Sequence, residues 1–92
     1  MTRTEILNSA EKCVNGEREQ EYGSPEKNFD RIAEMWSCFL ADKLKELISP
    51  SEVAAMMVLL KVSRIASGNA KDDSWIDIAG YAACGGELEG GT

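Results

Sequence analysis

The chain has 92 residues, of which 43% are hydrophobic and 28% charged, and its net charge is −6. A chain of this length forms one domain with a modest core, and the composition is that of a folded globular protein. The acidic balance speaks against nucleic acid as the main partner, because a phosphate backbone attracts basic surfaces. The absence of histidine excludes catalysis by histidines of this chain and, with three scattered cysteines, makes a zinc site untenable.

Targeting signals and common phosphate-binding loops are also missing from the sequence. The first twenty residues are too charged for a signal peptide, and no apolar run is long enough to span a membrane. We therefore expect a cytoplasmic domain that has no membrane as its partner. Neither GxGxxG nor GxxxxGK[ST] occurs. Carboxylates, a few cations and two tyrosines remain to carry chemistry.

The first half of the chain predicts two helices. Thr2 and Glu5 form a capping box for the first helix, which ends at Asn15-Gly16. The charged residues 17–23 are expected to form a loop, so that residues 1–23 make up the N-terminal part. Ser24-Pro25 starts the second helix, whose apolar stripe extends towards Leu47 with a bend expected within residues 42–46.

The second half of the chain predicts two further helices. Ser49-Pro50-Ser51-Glu52 is a capping box with proline at the first helical position. The third helix is apolar all round from Val53 to Leu60, which predicts burial at the domain centre or in an oligomer interface. It ends at Gly68-Asn69. Asp72 is expected to cap the fourth helix, which runs to about Glu87.

Short connections between these helices favour an antiparallel bundle. We therefore predict an all-α fold of about four helices without a sheet, in a single domain 1–92 with its core helices in 24–87. The glycine-rich residues 88–92 are expected to be a flexible tail. Because so short a chain buries little apolar surface by itself, we also expect a homo-oligomer, either a dimer or a tetramer.

Asp73 and Asp77, four residues apart on the fourth helix, are the main candidate site residues. They lie opposite an apolar arc, which consists of Trp75, Ile78, Ala79, Ala82 and Ala83. Their own face carries the small residues Gly80 and Cys84, which indicates that another helix approaches closely. We therefore expect both carboxylates to be half-buried, and a half-buried charge requires a partner.

Two kinds of partner for these carboxylates remain open. Lys61 and Arg64 share a face of the third helix and would stand level with Asp77 and Gly80 in an antiparallel hairpin. Alternatively, Mg²⁺ would bridge the two aspartates together with a carboxylate of the second helix, because magnesium prefers oxygen ligands. The candidate donors form a row on one flank of that helix: Glu26, Asp30 and Glu34.

Each of these residues also has a purely structural interpretation. The pair of Asp77 with Lys61 or Arg64 is equally well explained as a structural ion pair, and the acidic row as a solvated helix face. Tyr22, before the second helix, either packs over the helix start or contacts a base at the mouth of a site. Trp36 lies on the apolar stripe of the second helix and is the other candidate for base contact.

The order of Tyr22-Gly23, Lys61-x-x-Arg64 and Asp73-Ser74-x-x-Asp77-x-x-x-Tyr81-Ala82 resembles small, poorly characterised phage and prophage domains. It is also similar to a phage domain linked to nucleotide modification. A more distant resemblance is to the all-α nucleoside triphosphate pyrophosphohydrolases of the MazG and dimeric dUTPase type, which are oligomeric, magnesium-dependent helical bundles. Asp77 matches the closing aspartate of their ExxD motif. Position 74 is serine instead of glutamate, and EExxE is absent, so the acidic cage is incomplete.

Two hypotheses of function follow. In the first, Asp73 and Asp77, with Glu34 or Asp30, hold Mg²⁺, while Lys61 and Arg64 meet the phosphate oxygens of a nucleotide. The base contacts Tyr22 or Trp36, and any hydrolysis would be of the pyrophosphohydrolase kind that the resemblance implies. In the second, the domain is a non-enzymatic oligomeric interaction module, in which the all-round apolar helix forms the interface and aspartate–arginine/lysine contacts fix its register.

Overall fold

In the computed structural model, residues 1–16, 24–68 and 72–90 are described. These residues form four α-helices, α1 (Arg3–Asn15), α2 (Pro25–Phe39), α3 (Pro50–Ala66) and α4 (Asp72–Glu89). A 3₁₀ turn, Ala41–Lys43, follows α2, and the described ranges contain no strand. The predicted all-α class is confirmed. The predicted loop at 17–23 lies outside the described residues.

The helix starts follow the local capping signals. Thr2 and Ser49 both form capping boxes. The side-chain oxygen of each cap accepts a hydrogen bond from the backbone N–H of a glutamate three residues on. The carboxylate of that glutamate accepts one from the backbone N–H of the cap. Ser24 caps α2 by accepting from the N–H of Lys27, and Pro25 occupies the first turn. These bonds satisfy backbone donors that a helix start would otherwise leave without partners. All three predicted starts are confirmed.

The second helix is shorter than the sequence predicted. It ends at Phe39 instead of continuing towards Leu47, and the chain then passes through the 3₁₀ turn into an extended Leu44. The backbone N–H of Ile48 donates to Oγ of the buried Ser37 at 2.8 Å. The chain therefore turns back along α2, which brings Ile48 onto the core and positions the start of α3 beside it.

Helix α3 ends where the sequence predicted, whereas α4 continues slightly further than predicted. Gly68 follows α3 with φ of 82°, a left-handed conformation that suits glycine, as the predicted stop requires. Helix α4 runs to Glu89, slightly beyond its predicted end at Glu87. Leu88 packs against the core in this last turn. This contact stabilises the helix at the start of the glycine-rich segment.

The helices pack around an antiparallel hairpin of α3 and α4, which make the most extensive contact in the fold. Helix α1 packs on α4, and α2 packs on α3. The core lies where α2, α3 and α4 meet, and its buried members are Phe29, Ala33, Val53, Ala54 and Cys84. The ring centroids of Phe29 and Tyr81 lie 6.1 Å apart across this junction. Within the residues that the structure describes, no helix covers one side of the hairpin.

Helix α3 is consequently not at the centre of the domain. Val53 and Ala54 are buried, but Leu59 is 67% exposed and Leu60 44% exposed. The central position was one of the two interpretations of its all-round apolar sequence, and it is wrong, because α2 and α4 cover only part of its circumference. The interface interpretation stays a prediction. Among the described helices, none combines the length and the apolar composition that a membrane-spanning segment requires.

Candidate functional site

Asp77 forms an ion pair with Lys61 inside the α3–α4 hairpin. Nζ of Lys61 lies 2.8 Å from Oδ2 of Asp77, and each side chain is only 14% exposed. Antiparallel packing brings the two helices level at these positions, as the sequence predicted, and the expected half-burial of Asp77 is confirmed. The aspartate is retained inside an apolar helix because a lysine of the neighbouring helix neutralises its charge where water is scarce.

The small residues on this side of α4 mark close helix contacts. A Cβ atom added at Gly80 would lie 3.3 Å from Cγ1 of Val14 on α1, and one added at Gly85 would lie 3.0 Å from Cβ of Ala54 on α3. The predicted close approach of another helix is therefore confirmed on two sides. Ser74 is buried on this same side.

Asp73 differs from Asp77, because it is exposed to solvent. The expectation that both carboxylates are half-buried is thus wrong for Asp73, which stands in the first turn of α4, where neighbouring helices cover less of its surroundings. Asp30 and Glu34 on α2 are exposed as well. No group of three or more acidic, histidine or cysteine side chains with metal-binding geometry occurs within the described residues. A magnesium site at these four positions stays a prediction.

The remaining candidate residues are spread over the fold. Arg64 is exposed on the last turn of α3, one turn beyond Lys61. Trp36 is half-buried and packs against the core, where it supports α2. Tyr22, the other candidate for base contact, lies outside the described residues. Lys61 and Asp77 are thus the pair of predicted site residues that the structure brings into contact.

Of the three cysteines, Cys84 is not placed to act as a nucleophile. Cys84 is buried in the core, and burial, followed by the nearby charge of Glu87, raises the pKa of its thiol. A raised pKa keeps a thiol protonated, whereas the thiolate is the reactive form. Cys38 is exposed and Cys13 is half-buried, both as free thiols.

An apolar surface on the uncovered side of the hairpin was missed as a site by the sequence analysis. It is formed by two helical stripes with the same spacing of four, three and four residues, and we call it the outer face: Ala55, Leu59, Val62 and Ala66 of α3 with Trp75, Ala79, Ala82 and Gly86 of α4. Ala79 is half-buried and the other seven residues are exposed. The predicted apolar arc of α4 therefore points largely into solvent, while the side that carries Asp77 faces the protein.

An open groove of about 450 Å³ runs along one end of the outer face. Its walls are mostly small side chains from the start of α3 and the end of α4, including Ala54, Ala55, Ala82, Gly85 and Gly86. Trp75, which is 52% exposed, stands at the opposite end. The signal for this surface was present in the sequence, since the 4-3-4 spacing of apolar residues is that of helix-packing seams.

A second exposed apolar set lies at the far end of α2. Phe39 is 88% exposed, Leu47 80% and Met35 65%. Lys43, Lys45 and Glu46, all exposed, stand in the connecting segment between Phe39 and Leu47. The outer face, by contrast, combines apolar stripes from two neighbouring helices, and among the described residues that line its groove Glu89 alone is charged. This pairing of two stripes distinguishes it as the candidate interaction surface.

Comparisons with known proteins identify phage relatives. Residues 5–89 match the model of a domain of unknown function, DUF6378. The chain is 42% identical over 77 residues to the gene 55 protein of Mycobacterium phage L5, covering 84% of this chain and 47% of that protein. It is 37% identical over 79 residues to the gene 55 protein of Mycobacterium phage D29, covering 86% and 50%.

The chain thus spans about half the length of the curated relatives it matches. No solved structure matches it. The expected resemblance to phage domains is confirmed, whereas the family and the relatives give no support to the likeness to pyrophosphohydrolases of the MazG type. With its match over residues 5–89, the chain belongs to the DUF6378 family of domains of unknown function.

Proposed function

We propose that this domain is a non-enzymatic interaction module that assembles into a homo-oligomer through its outer face. The observation that carries the proposal is an uncharged, exposed stripe on each of two neighbouring helices, placed side by side on the surface that α1 and α2 leave open. Leu59, 67% exposed at the middle of the α3 stripe, would lose its contact with water in such an assembly. Apolar surface gains about 25 cal/mol for each Å² that is removed from water.

The ion pair of Lys61 and Asp77 has a structural role in this proposal. It holds α3 and α4 in register, because a slip of the hairpin would leave both charges unpaired where each side chain is only 14% exposed. A fixed register keeps the two stripes of the outer face level with each other. The pair would thus support the interface without touching the partner.

Sedimentation equilibrium with a matched pair of variants tests the proposal. Leu59→Glu places a charge on the outer face, and Leu7→Glu makes the same change on α1, where Leu7 is 62% exposed. We expect the wild type and Leu7→Glu to exceed the monomer mass of 10.0 kDa as concentration rises, and Leu59→Glu to remain at that mass. A monomeric wild type throughout the micromolar range, or equal behaviour of the two variants, would contradict the proposal.

Binding of a nucleotide or another phosphate compound, with Mg²⁺, is the second candidate function. It is supported by the exposed guanidinium of Arg64 one turn from Lys61, since arginine binds phosphate oxygens in a bidentate manner. Asp73 and Asp77 of the adjacent helix, with Glu34 or Asp30, would supply oxygen ligands for the metal. Hydrolysis of a nucleoside triphosphate by water to the nucleoside monophosphate and pyrophosphate would extend this candidate to enzymatic activity.

Isothermal titration with nucleoside di- and triphosphates in the presence of Mg²⁺ tests the second candidate. Binding heat should disappear in Arg64→Ala and persist in Arg31→Ala. Arg31 is a suitable control because it is also exposed but stands on α2, outside the proposed phosphate site. The absence of heat across the nucleotide panel would remove this candidate. Heat that the two variants reduce equally would place the ligand away from Arg64.

A further inference from the structure

The outer face has one bulky end and one hollow end. Trp75 projects where α4 begins, level with the end of α3, whereas small residues line the groove at the opposite end. Trp75 and the middle of the groove wall, between Ala82 and Gly86, are about 14 Å apart along α4 at 1.5 Å per residue. A surface of this kind is self-complementary if a symmetry operation brings the bulky end of one copy over the hollow end of another.

We infer that the groove is a docking site for Trp75 of a second copy of this chain, related by a two-fold axis that lies in the interface at right angles to the helices. This inference rests on the proposed function and names its partner and its contact. Such an axis, passing near Leu59 and Ala79, packs α3 on α3 and α4 on α4 in antiparallel directions. Two-fold interfaces of this isologous kind are the commonest among homo-oligomers.

The residues that line the groove suit an aromatic guest side chain. Gly85 and Gly86 present no side chain, and a Cβ atom added at Gly86 would meet nothing within 4 Å, so the indole has room to enter. Tyr81 is among the residues that line the groove, which allows an aromatic contact with the incoming ring. Glu89 at the far end of the groove is an acceptor of the kind that the indole N–H requires when it is removed from water.

The size of the face is consistent with a concentration-dependent dimer. From Ser51 to Ala66, α3 covers about 22 Å, and two helices packed 8–10 Å apart make a strip about 20 Å wide. The flat footprint is then about 440 Å² per copy, or about 880 Å² in total, and the corrugation of a helical surface adds to it. Specific interfaces begin near 1,000 Å² of total buried surface, so the association is expected at the weaker end of that range.

The fluorescence of Trp75 tests this arrangement directly. Trp36→Phe leaves Trp75 as the sole tryptophan, and its emission is recorded from dilute to concentrated protein while sedimentation reports the mass. We expect the emission maximum to move to shorter wavelength, and acrylamide quenching to fall, as the dimer forms. If Trp36→Phe unfolds the protein, as circular dichroism would show, quenching of the wild type gives the same test, because Trp75 is the more exposed of the two tryptophans.

A matched pair of variants locates the contact on α4. Ala82 and Ala83 are both exposed, but successive residues stand about 100° apart around a helix, and only Ala82 lines the groove. We expect Ala82→Glu to weaken the dimer at least tenfold and Ala83→Glu to change its Kd less than threefold. A dimer in which Trp75 stays accessible would overturn this arrangement while leaving self-association standing. A protein that remains monomeric at every concentration would overturn both.

Discussion

At the scale of single residues, Asp77 shows how a charge is accommodated inside an apolar hairpin. Its carboxylate and the ammonium group of Lys61 are 2.8 Å apart and largely withdrawn from water. Forming such a pair contributes little net stability, because desolvation offsets most of the attraction between the charges. Removing one partner is costly, since the other charge then remains in a poorly hydrated place. The pair therefore acts chiefly on the register of the hairpin.

Asp77→Asn tests this role. We expect it to lower the free energy of unfolding by about 1–3 kcal/mol, and hence the Tm by several degrees, because Lys61 loses its counter-charge. Asp73→Asn is the matched control on the same helix, and at an exposed position it should cost less than about 0.5 kcal/mol. Thermal unfolding followed by circular dichroism measures both variants. Equal losses in the two would mean that the contact of Lys61 with Asp77 contributes nothing specific.

At the scale of helices, local sequence signals predicted where helices begin better than which of their faces are buried. Thr2, Ser24 and Ser49 predicted three helix starts because each cap bonds to backbone groups within three residues, so no tertiary information was needed. The end of α2 was missed, because the hydrogen bond from Ile48 to Ser37 joins positions 11 residues apart. A helical pattern does not encode such a return of the chain.

The orientation of α4 illustrates the other limit of a sequence pattern. Periodicity identified two faces, one apolar and one with Asp77 and small residues, but it does not state which face neighbouring helices cover. Within the chain the small face is the covered one, because Gly80 and Gly85 permit close approach of α1 and α3. Antiparallel register predicted that Asp77 lies level with Lys61 and Arg64, but it did not decide which of the two forms the ion pair. The exposure of Asp73 and of the outer face depends on how far the neighbouring helices extend, which periodicity does not state.

The capping boxes give a pH dependence that belongs to the helices. The backbone N–H of Ser49 donates to Oε1 of Glu52 at 2.9 Å, and this bond, with a further contribution from the Ser49 side chain, lowers the pKa of Glu52. Glu5 has a lowered pKa for the same reasons at Thr2. A carboxyl group whose pKa is lower when folded stabilises the protein above its unfolded pKa, about 4.3 for glutamate. That contribution is lost as the pH falls through the folded value.

We therefore expect the wild type to lose stability more steeply between about pH 5 and pH 3 than the double variant Glu5→Gln/Glu52→Gln. Glutamine keeps the accepting oxygen of the capping box but does not titrate. Urea unfolding at several pH values measures the slopes. Glu11→Gln/Glu46→Gln, at exposed glutamates outside the caps, is the control and should follow the wild type. Indistinguishable slopes for the wild type and the cap variant would show that the caps do not contribute to the acid response.

At the scale of the whole molecule, apolar attraction competes with charge repulsion. Two copies that each carry a net charge of −6 repel one another, while the outer face offers uncharged surface for contact. Added salt screens the repulsion between exposed charges and does not weaken apolar burial. Association through the outer face should therefore become stronger as ionic strength rises. An interface made of ion pairs would respond in the opposite direction.

The thermal stability of the wild type should accordingly depend on protein concentration. For a folded dimer that unfolds to single chains, each tenfold rise in concentration adds about 1.4 kcal/mol per dimer, or about 0.7 kcal/mol per chain. For a chain of this size that raises the Tm by about 3–6 °C. Differential scanning calorimetry over two decades of concentration measures the shift, and Leu59→Glu should show none. A wild-type Tm that does not change with concentration, at low and at high salt, would mean that the outer face stays in contact with water and that its apolar stripes serve no second copy of the chain.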